Sequence, residues 1–120
     1  MSWTSDVEEN LKVGIVDILV LKLLLEEDMY GYQIRQEILK RSNNRIDIKE
    51  GSLYGPFYRL EKKEFITSKK ISVSGKRYRI YYHITELGKE FLECALKAFI
   101  NIYSGVNEML FKGGDNHGNN

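Results

Sequence analysis

Residues 65–85 read Phe65-Ile-Thr-Ser-Lys-Lys-Ile-Ser-Val-Ser-Gly-Lys-Arg-Tyr-Arg-Ile-Tyr-Tyr-His-Ile-Thr85, with five basic residues and no carboxylate. Two alternating runs, 65–73 and 78–84, flank the turn-forming residues 74–77, so the stretch predicts a two-stranded hairpin. A helical pattern at 50–64 comes directly before it. A basic hairpin that follows a helix is typical of a winged helix-turn-helix, in which the helix enters a DNA groove and the hairpin reaches the neighbouring backbone.

The helix predicted at 50–64 has a buried face and an exposed face. Its apolar residues are spaced i, i+4, i+7, and they are Leu53, Phe57 and Leu60. Pro56 falls in the second turn and removes one backbone hydrogen bond, so we expect a tightened first turn or a mild kink there. Four polar residues point outward as candidate DNA contacts: Ser52, Tyr54, Arg59 and Lys62.

The rest of the chain is predicted to be mainly helical. Apolar spacing indicates helices at 7–26, 30–41 and 86–111, with Thr85 as N-cap of the last and Ile46 and Ile48 in a short strand or extended connector. The predicted fold is α+β, mainly α: a winged helix-turn-helix over 1–85, a long dimerisation helix over 86–112 and a disordered tail over 113–120. The N-terminal helix is expected to contribute to the dimer.

Composition argues against several classes of protein. A length of 120 residues indicates one domain. The single cysteine, Cys94, and two distant histidines predict neither a disulfide nor a metal site, and we expect no cofactor. We find no phosphate-binding glycine loop and no paired-carboxylate motif, so an enzyme is not expected. The apolar run at 15–25 is interrupted by charges and too short to span a membrane, and a cytoplasmic protein is the expectation.

The net charge of +1 conceals a strong asymmetry along the chain. Residues 1–30 hold seven acidic and two basic residues, whereas residues 31–85 hold thirteen basic and five acidic residues. Because the local field decides where a polyanion docks, the middle of the chain is the predicted nucleic-acid surface. Lys76 and Arg77, at the predicted hairpin tip with no acid nearby, are the strongest candidates for phosphate contacts.

The predicted C-terminal helix is longer than a domain of this size can cover. Its apolar stripe therefore needs a partner, and a second copy of the chain is the simplest one. The residues expected in that dimer interface are Leu11, Ile15, Ala95, Phe99, Ile102 and Val106.

Five short motifs carry a resemblance to a known family. They are Tyr30-Gly31-Tyr32-Gln33-Ile34, Gly51-Ser52-Leu53-Tyr54, Arg59-Leu60-Glu61, Gly75-Lys76-Arg77-Tyr78-Arg79 and Ile84-Thr85-Glu86-Leu87-Gly88. Together they closely resemble the PadR-like transcriptional regulators, in the compact subfamily with a single C-terminal dimerisation helix. Many relatives place proline directly after the tyrosine of the second motif, whereas here Gly55 intervenes.

The resemblance implies a homodimeric repressor that binds an inverted repeat of double-stranded DNA. It also implies release from the operator by a small aromatic or hydrophobic compound, and Phe91, Phe99 and Tyr103 are the candidate ligand contacts.

Other interpretations remain beside this one. The basic hairpin is also consistent with a winged helix that contacts an acidic protein, or with coating of DNA without sequence preference. Tyr54 is expected either to contact DNA or to be a half-buried support for the hairpin. Arg59 either contacts DNA or pairs with Glu61 or another local acid.

Overall fold

The computed structural model describes residues 3–112, and the tail predicted to be disordered lies outside them. The chain forms, in order, α1 (Thr4–Lys12), α2 (Ile15–Glu26), β1 (Met29–Tyr30), α3 (Gly31–Arg41), a 3-10 turn (Glu50–Leu53), α4 (Tyr54–Lys62), β2 (Ile66–Ser74), β3 (Arg77–Ile84), α5 (Glu86–Asn107) and a π-helical turn (Glu108–Lys112). This is the predicted α+β, mainly α winged helix-turn-helix with a long C-terminal helix.

The prediction of one helix over 7–26 is wrong, because the chain breaks between α1 and α2. Val13 adopts an extended backbone with ψ of 124°, and Gly14 has φ of 86°. That positive φ is open to glycine and strained for residues with a Cβ, so Gly14 permits the break. Apolar spacing in the sequence continues across both helices, so the periodicity of apolar residues does not reveal the break.

The core lies where α2, α3 and α4 meet the sheet. Val20 and Leu21 of α2, Ile34 of α3 and Leu53 before α4 are all fully buried. The ring of Tyr82 on β3 stacks on Phe57 of α4, with ring centroids 4.1 Å apart. This aromatic contact joins the hairpin to the helix that precedes it.

The start of α4 is tightened as predicted. Residues 50–53 form a 3-10 turn before the α-helix begins at Tyr54, so Pro56 lies only two residues into the α-helix, where its missing N–H breaks no regular helical bond. Pro56 is buried with Phe57 and Leu60, which fixes the face that α4 turns toward the core. Residues 46–49, before this turn, connect the helices without regular structure.

The sheet has three antiparallel strands in the order β1-β3-β2. The predicted hairpin is β2–β3, and its pairing is irregular between Ser72 and Ser74, next to the turn at Gly75. Strand β1 was not predicted, since two residues have no detectable alternation. Met29 pairs with Tyr82 and Tyr30 with Tyr81, so β1 ties the hairpin to the start of α3.

Helix α5 begins with the predicted cap and a very close backbone approach. The Thr85 hydroxyl oxygen accepts a hydrogen bond from the Gly88 N–H at 3.0 Å. Gly88 is buried against the backbone just before β2, and a Cβ at this position would lie 2.1 Å from the carbonyl oxygen of Phe65. The distal part of α5 extends away from the core, and the molecule measures 68 × 39 × 22 Å. Within residues 3–112, none of the helices has the length and apolarity needed to cross a bilayer.

Candidate nucleic-acid interface

Helix α4 presents one polar and aromatic face away from the core. Because Leu53, Pro56, Phe57 and Leu60 are buried, residues on the opposite side of the helix face outward. That outward face consists of Gly55, Tyr58 and Lys62, with Tyr54 on one flank and Arg59 on the other. We call this set of five residues the recognition face.

Tyr54 is exposed rather than half-buried, with 60% of its surface accessible. It lines a shallow cleft between α4 and the hairpin together with Tyr78 and Ile80 of β3. Ser52, in the 3-10 turn, is also exposed. Both side chains are therefore accessible to a ligand that approaches the start of α4.

Arg59 has an acidic partner, but this partner is not Glu61 or another acid nearby in the sequence. The partner is Asp17 on α2 rather than Glu61, and the Arg59 Nη2 donates to the Asp17 Oδ1 at 2.9 Å. Glu61 instead accepts a hydrogen bond from the Ser68 hydroxyl at 2.7 Å. The two sides of α4 are thus anchored to α2 and to β2.

Lys76 and Arg77 belong to a larger basic surface. It comprises the seven cationic residues between the end of α4 and the middle of β3, namely Lys62, Lys63, Lys69, Lys70, Lys76, Arg77 and Arg79. No carboxylate of residues 3–112 lies within salt-bridge distance of any of them. We call this set the basic wing surface, and its positive field is not neutralised by neighbouring side chains.

Aromatic rings support three cations of this surface. Arg79 lies over Tyr30 at 4.3 Å, Lys62 over Tyr58 at 5.6 Å and Lys70 over Tyr78 at 5.8 Å from the ring centroids. A cation held on a ring face keeps its charge, and the contact contributes on the order of 0.5–1 kcal/mol at exposed sites. The rings therefore order these side chains while leaving them available to an anion.

Sequence reasoning missed Tyr58 and Arg79 as candidate contacts. Tyr58 is 64% exposed on the recognition face, and Arg79 is held by a residue 49 positions earlier in the chain. The helical position of Tyr58, one residue past the buried Phe57, was a usable signal. No sequence signal pairs Arg79 with Tyr30, because their contact depends on strand β1 lying beside β3.

The charges of Arg41, Glu26 and Glu37, outside the basic wing surface, are paired. Arg41 of α3 donates to both Glu26 oxygens at 2.8 Å and to Glu37 at 2.8 Å. The hydrogen bonds from Arg41 lower the Glu26 pKa to about 2 and also lower the Glu37 pKa, while the same contacts raise the Arg41 pKa. Burial raises the pKa of Tyr82, with smaller effects from Glu61 and Tyr54. The charges of Arg41, Glu26 and Glu37 thus partly neutralise one another between α2 and α3.

The predicted dimer residues are all partly or fully exposed in the single chain. Leu11 is 67%, Phe99 39%, Ile102 64% and Val106 50% accessible, and Ile15 and Ala95 are half-buried.

The predicted ligand residues fall into two places. Phe91, near the start of α5, stacks on Phe65 at 4.4 Å and packs against the core, whereas Phe99 and Tyr103 stack on each other at 5.9 Å along the exposed part of α5. The structure therefore groups two of the three and separates Phe91 from them.

Comparison with known proteins agrees with this geometry. An uncharacterised protein of Lysinibacillus sphaericus is 47% identical over 89 residues, which cover 74% of this chain and 82% of the relative. A transcriptional regulator structure from Clostridium thermocellum is 32% identical, with a TM-score of 0.78 over 84% of this chain and 98% of that one. A PadR-like transcriptional regulator from Bacillus cereus is 27% identical, with a TM-score of 0.71 over 85% of this chain and 97% of that one.

The sequence pattern of the transcriptional regulator PadR-like family matches residues 20–94, which include α3, α4, the hairpin and the start of α5. This match covers more than half of the 120 residues. The chain therefore belongs to the PadR-like family of transcriptional regulators.

Proposed function

We propose that this chain is a homodimeric repressor that binds an operator sequence-specifically and is released from it by a small aromatic or hydrophobic ligand. Residues 1–85 bind DNA and residues 86–112 form the dimer. The observation that carries the proposal is the basic wing surface, unpaired within residues 3–112, beside the exposed recognition face of α4. Sequence-specific binding of a duplex needs both elements, because phosphate contacts set affinity and base contacts set sequence preference.

Each element has a separate role in this proposal. Helix α4 enters the major groove, where Ser52, Tyr54 and Arg59 meet base edges and the phosphates that border them. Lys62 lies at the far end of the recognition face. Lys76 and Arg77, at the hairpin tip, neutralise phosphates of the adjacent backbone.

The dimer is supported by the apolar surface of α5. Beyond the domain core this helix exposes Phe99, Ile100, Ile102, Tyr103 and Val106, and the π-helical turn adds Met109, Leu110 and Phe111. A contiguous apolar stripe of this kind is expected to be covered by another surface. A two-fold dimer places two α4 helices roughly 34 Å apart, one turn of DNA, and so reads an inverted repeat.

Ligand control rests on the stacked pair Phe99 and Tyr103. In a dimer whose α5 helices meet, these rings lie at the seam, where a planar compound can insert between protomers. A ligand weakens DNA binding only if it favours a spacing of the two α4 helices that the operator does not fit. Quenching of Trp3 by a panel of planar aromatic compounds, measured beside operator release, tests this part of the proposal. Compounds that quench Trp3 without changing DNA affinity would contradict it.

Selection of bound sequences from random duplex DNA by the purified protein tests the main proposal. An enriched inverted repeat is the expected result. Binding that falls steeply with salt but enriches no sequence would indicate non-specific coating of DNA. No binding to any duplex would favour the alternative of a winged helix that contacts an acidic protein.

A further inference from the structure

The side chain of Arg59 is held across the first turn of α4. Its Nη2 donates to the Asp17 carboxylate at 2.9 Å, while its Nη1 lies 3.5 Å from the position that a Cβ on Gly55 would occupy. The Arg59 side chain thus runs from α4 past the glycine of the recognition face to Asp17 on α2. Its side chain remains 52% exposed, so its unused donors are accessible to DNA.

Asp17, the partner of Arg59, is largely shielded from solvent. Its side chain is only 20% exposed, on a helix that buries four apolar residues in the core. Within residues 3–112 this is the one side-chain hydrogen bond between α2 and α4. The contact uses one guanidinium nitrogen, which leaves donors on Nη1 and Nε in a fixed plane.

Arg59 differs from the cations of the basic wing surface because it has an acidic partner. A carboxylate beside a phosphate contact would cancel part of the charge that the contact needs, and the wing cations accordingly have no such partner in the described part of the chain. An arginine that reads a base works by the direction of its donors, because two parallel hydrogen bonds to guanine O6 and N7 need a planar, oriented guanidinium. Restraint of the guanidinium by Asp17 favours the reading of a base edge and would weaken a phosphate contact.

We infer that Asp17 is a positioning residue that orients Arg59 to read a base edge, most simply that of a guanine, in the operator. The inference rests on the proposed sequence-specific DNA binding. It predicts that Asp17, which need not touch DNA, determines part of the sequence preference.

The test compares two duplexes: the sequence enriched by the wild-type protein and a scrambled duplex of the same length and composition. Affinities for both are measured with Asp17→Ala, Arg59→Ala, Arg59→Lys and the double variant of Asp17 and Arg59 to alanine. Asp47→Ala is the matched control. Asp17, Arg59 and Asp47 all line one cleft of about 620 Å³. Asp47 accepts a hydrogen bond from the Arg35 Nη2 at 3.0 Å, so its partner lies on α3 rather than on α4. Melting temperatures show that each variant is folded.

Loss of one oriented base contact lowers the ratio of specific to scrambled affinity by roughly tenfold or more. We expect that loss for Arg59→Ala and also for Arg59→Lys, which keeps the charge but lacks the planar fork. Asp17→Ala lowers the ratio by about threefold to tenfold, while affinity for the scrambled duplex is unchanged or rises, because a negative charge has been removed. The double variant falls no further than Arg59→Ala, and Asp47→Ala keeps the wild-type ratio.

Three results would overturn the inference. If Asp17→Ala strengthens binding to both duplexes equally, Asp17 only opposes the DNA charge. If it lowers the melting temperature but keeps the ratio, the ion pair is only structural. If Arg59→Ala keeps the ratio, Arg59 reads no base. The proposed function fails separately, when the wild-type protein enriches no sequence at all.

Discussion

At the residue scale, backbone geometry sets two requirements that side-chain chemistry alone does not reveal. Glu64, just after α4, has φ of 65°, a conformation that suits glycine and strains a residue with a Cβ. Gly88, in the first turn of α5, meets the opposite requirement, since its missing side chain makes room for the Phe65 carbonyl. The backbone of Glu64 is therefore strained, whereas Gly88 avoids a clash because it has no side chain.

Glu64→Gly is predicted to stabilise the protein by about 1 kcal/mol, because glycine adopts the left-handed conformation at a helix end without steric cost. The neighbouring Lys63→Gly is the control, since Lys63 has φ of −85° and gains no relief from the change. Urea unfolding at one protein concentration measures both. A loss of stability in Glu64→Gly equal to that in Lys63→Gly would contradict the strain argument.

Gly88→Ala is predicted to destabilise the protein by about 3 kcal/mol, because a methyl group cannot fit between α5 and β2 without backbone movement. In the same helix, a Cβ added to Gly105 meets no atom within 4 Å. Gly105→Ala should therefore be neutral or stabilising by up to about 1 kcal/mol. Thermal unfolding separates the two, and equal melting temperatures would refute the close approach.

At the scale of elements, contacts between helices decide how the winged domain responds to acid. Arg41 of α3 bridges Glu26 of α2 and Glu37 of its own helix. Because the Glu26 pKa is lowered from 4.5 to about 2 in the folded state, the stability that this carboxylate contributes is present above pH 4.5 and is lost as the pH falls toward 2.

Glu26→Gln is therefore predicted to lower the melting temperature at neutral pH. Its difference from the wild-type protein should shrink as the pH falls from 4.5 to 2. Glu93→Gln serves as the control, since Glu93 has no ion-pair partner in residues 3–112. Melting curves across this pH range provide the measurement. If the melting temperatures of Glu26→Gln and the wild-type protein differ by the same amount at every pH, protonation of Glu26 is not coupled to unfolding.

The hairpin is the second element whose role can be isolated. Lys76→Ala should weaken binding to every duplex alike and reduce the slope of log affinity against log salt by about one unit, because one phosphate contact is lost. Lys97→Ala, which removes an exposed lysine from α5, is the matched control. Fluorescence anisotropy at several salt concentrations measures both. An unchanged slope for Lys76→Ala would remove the hairpin tip from the DNA interface.

The elements were predicted as well as local pattern allowed. The spacing of apolar residues was enough for α3, α4 and the hairpin, and Thr85 was recognisable as a cap because capping is a contact between near neighbours. The break at Gly14 was missed, since the apolar spacing of the sequence continues across it. Strand β1 was missed because two residues become a strand only when β3 lies beside them.

At the scale of the whole molecule, α5 is 22 residues long and extends beyond the core, so its distal apolar side chains are exposed. Phe99→Glu or Ile102→Glu should give monomeric or insoluble protein, because a charge buried at an interface without a partner is costly. Lys97→Glu, on the opposite side of α5, should remain a dimer. Sedimentation at micromolar concentration is the measurement, and a folded wild-type monomer would disprove the proposed dimer.

By itself, the sequence determined the fold class, helix α4, the basic hairpin and the family, because each depends on patterns of residues that are close together along the chain. Tertiary structure alone decided that Arg59 is held by Asp17, 42 positions away, and that Arg79 rests on Tyr30. It also decided that Phe91 packs inward on Phe65, while Phe99 and Tyr103 remain exposed. Periodicity identifies the face of an element, but the partner that this face meets depends on the path of the whole chain.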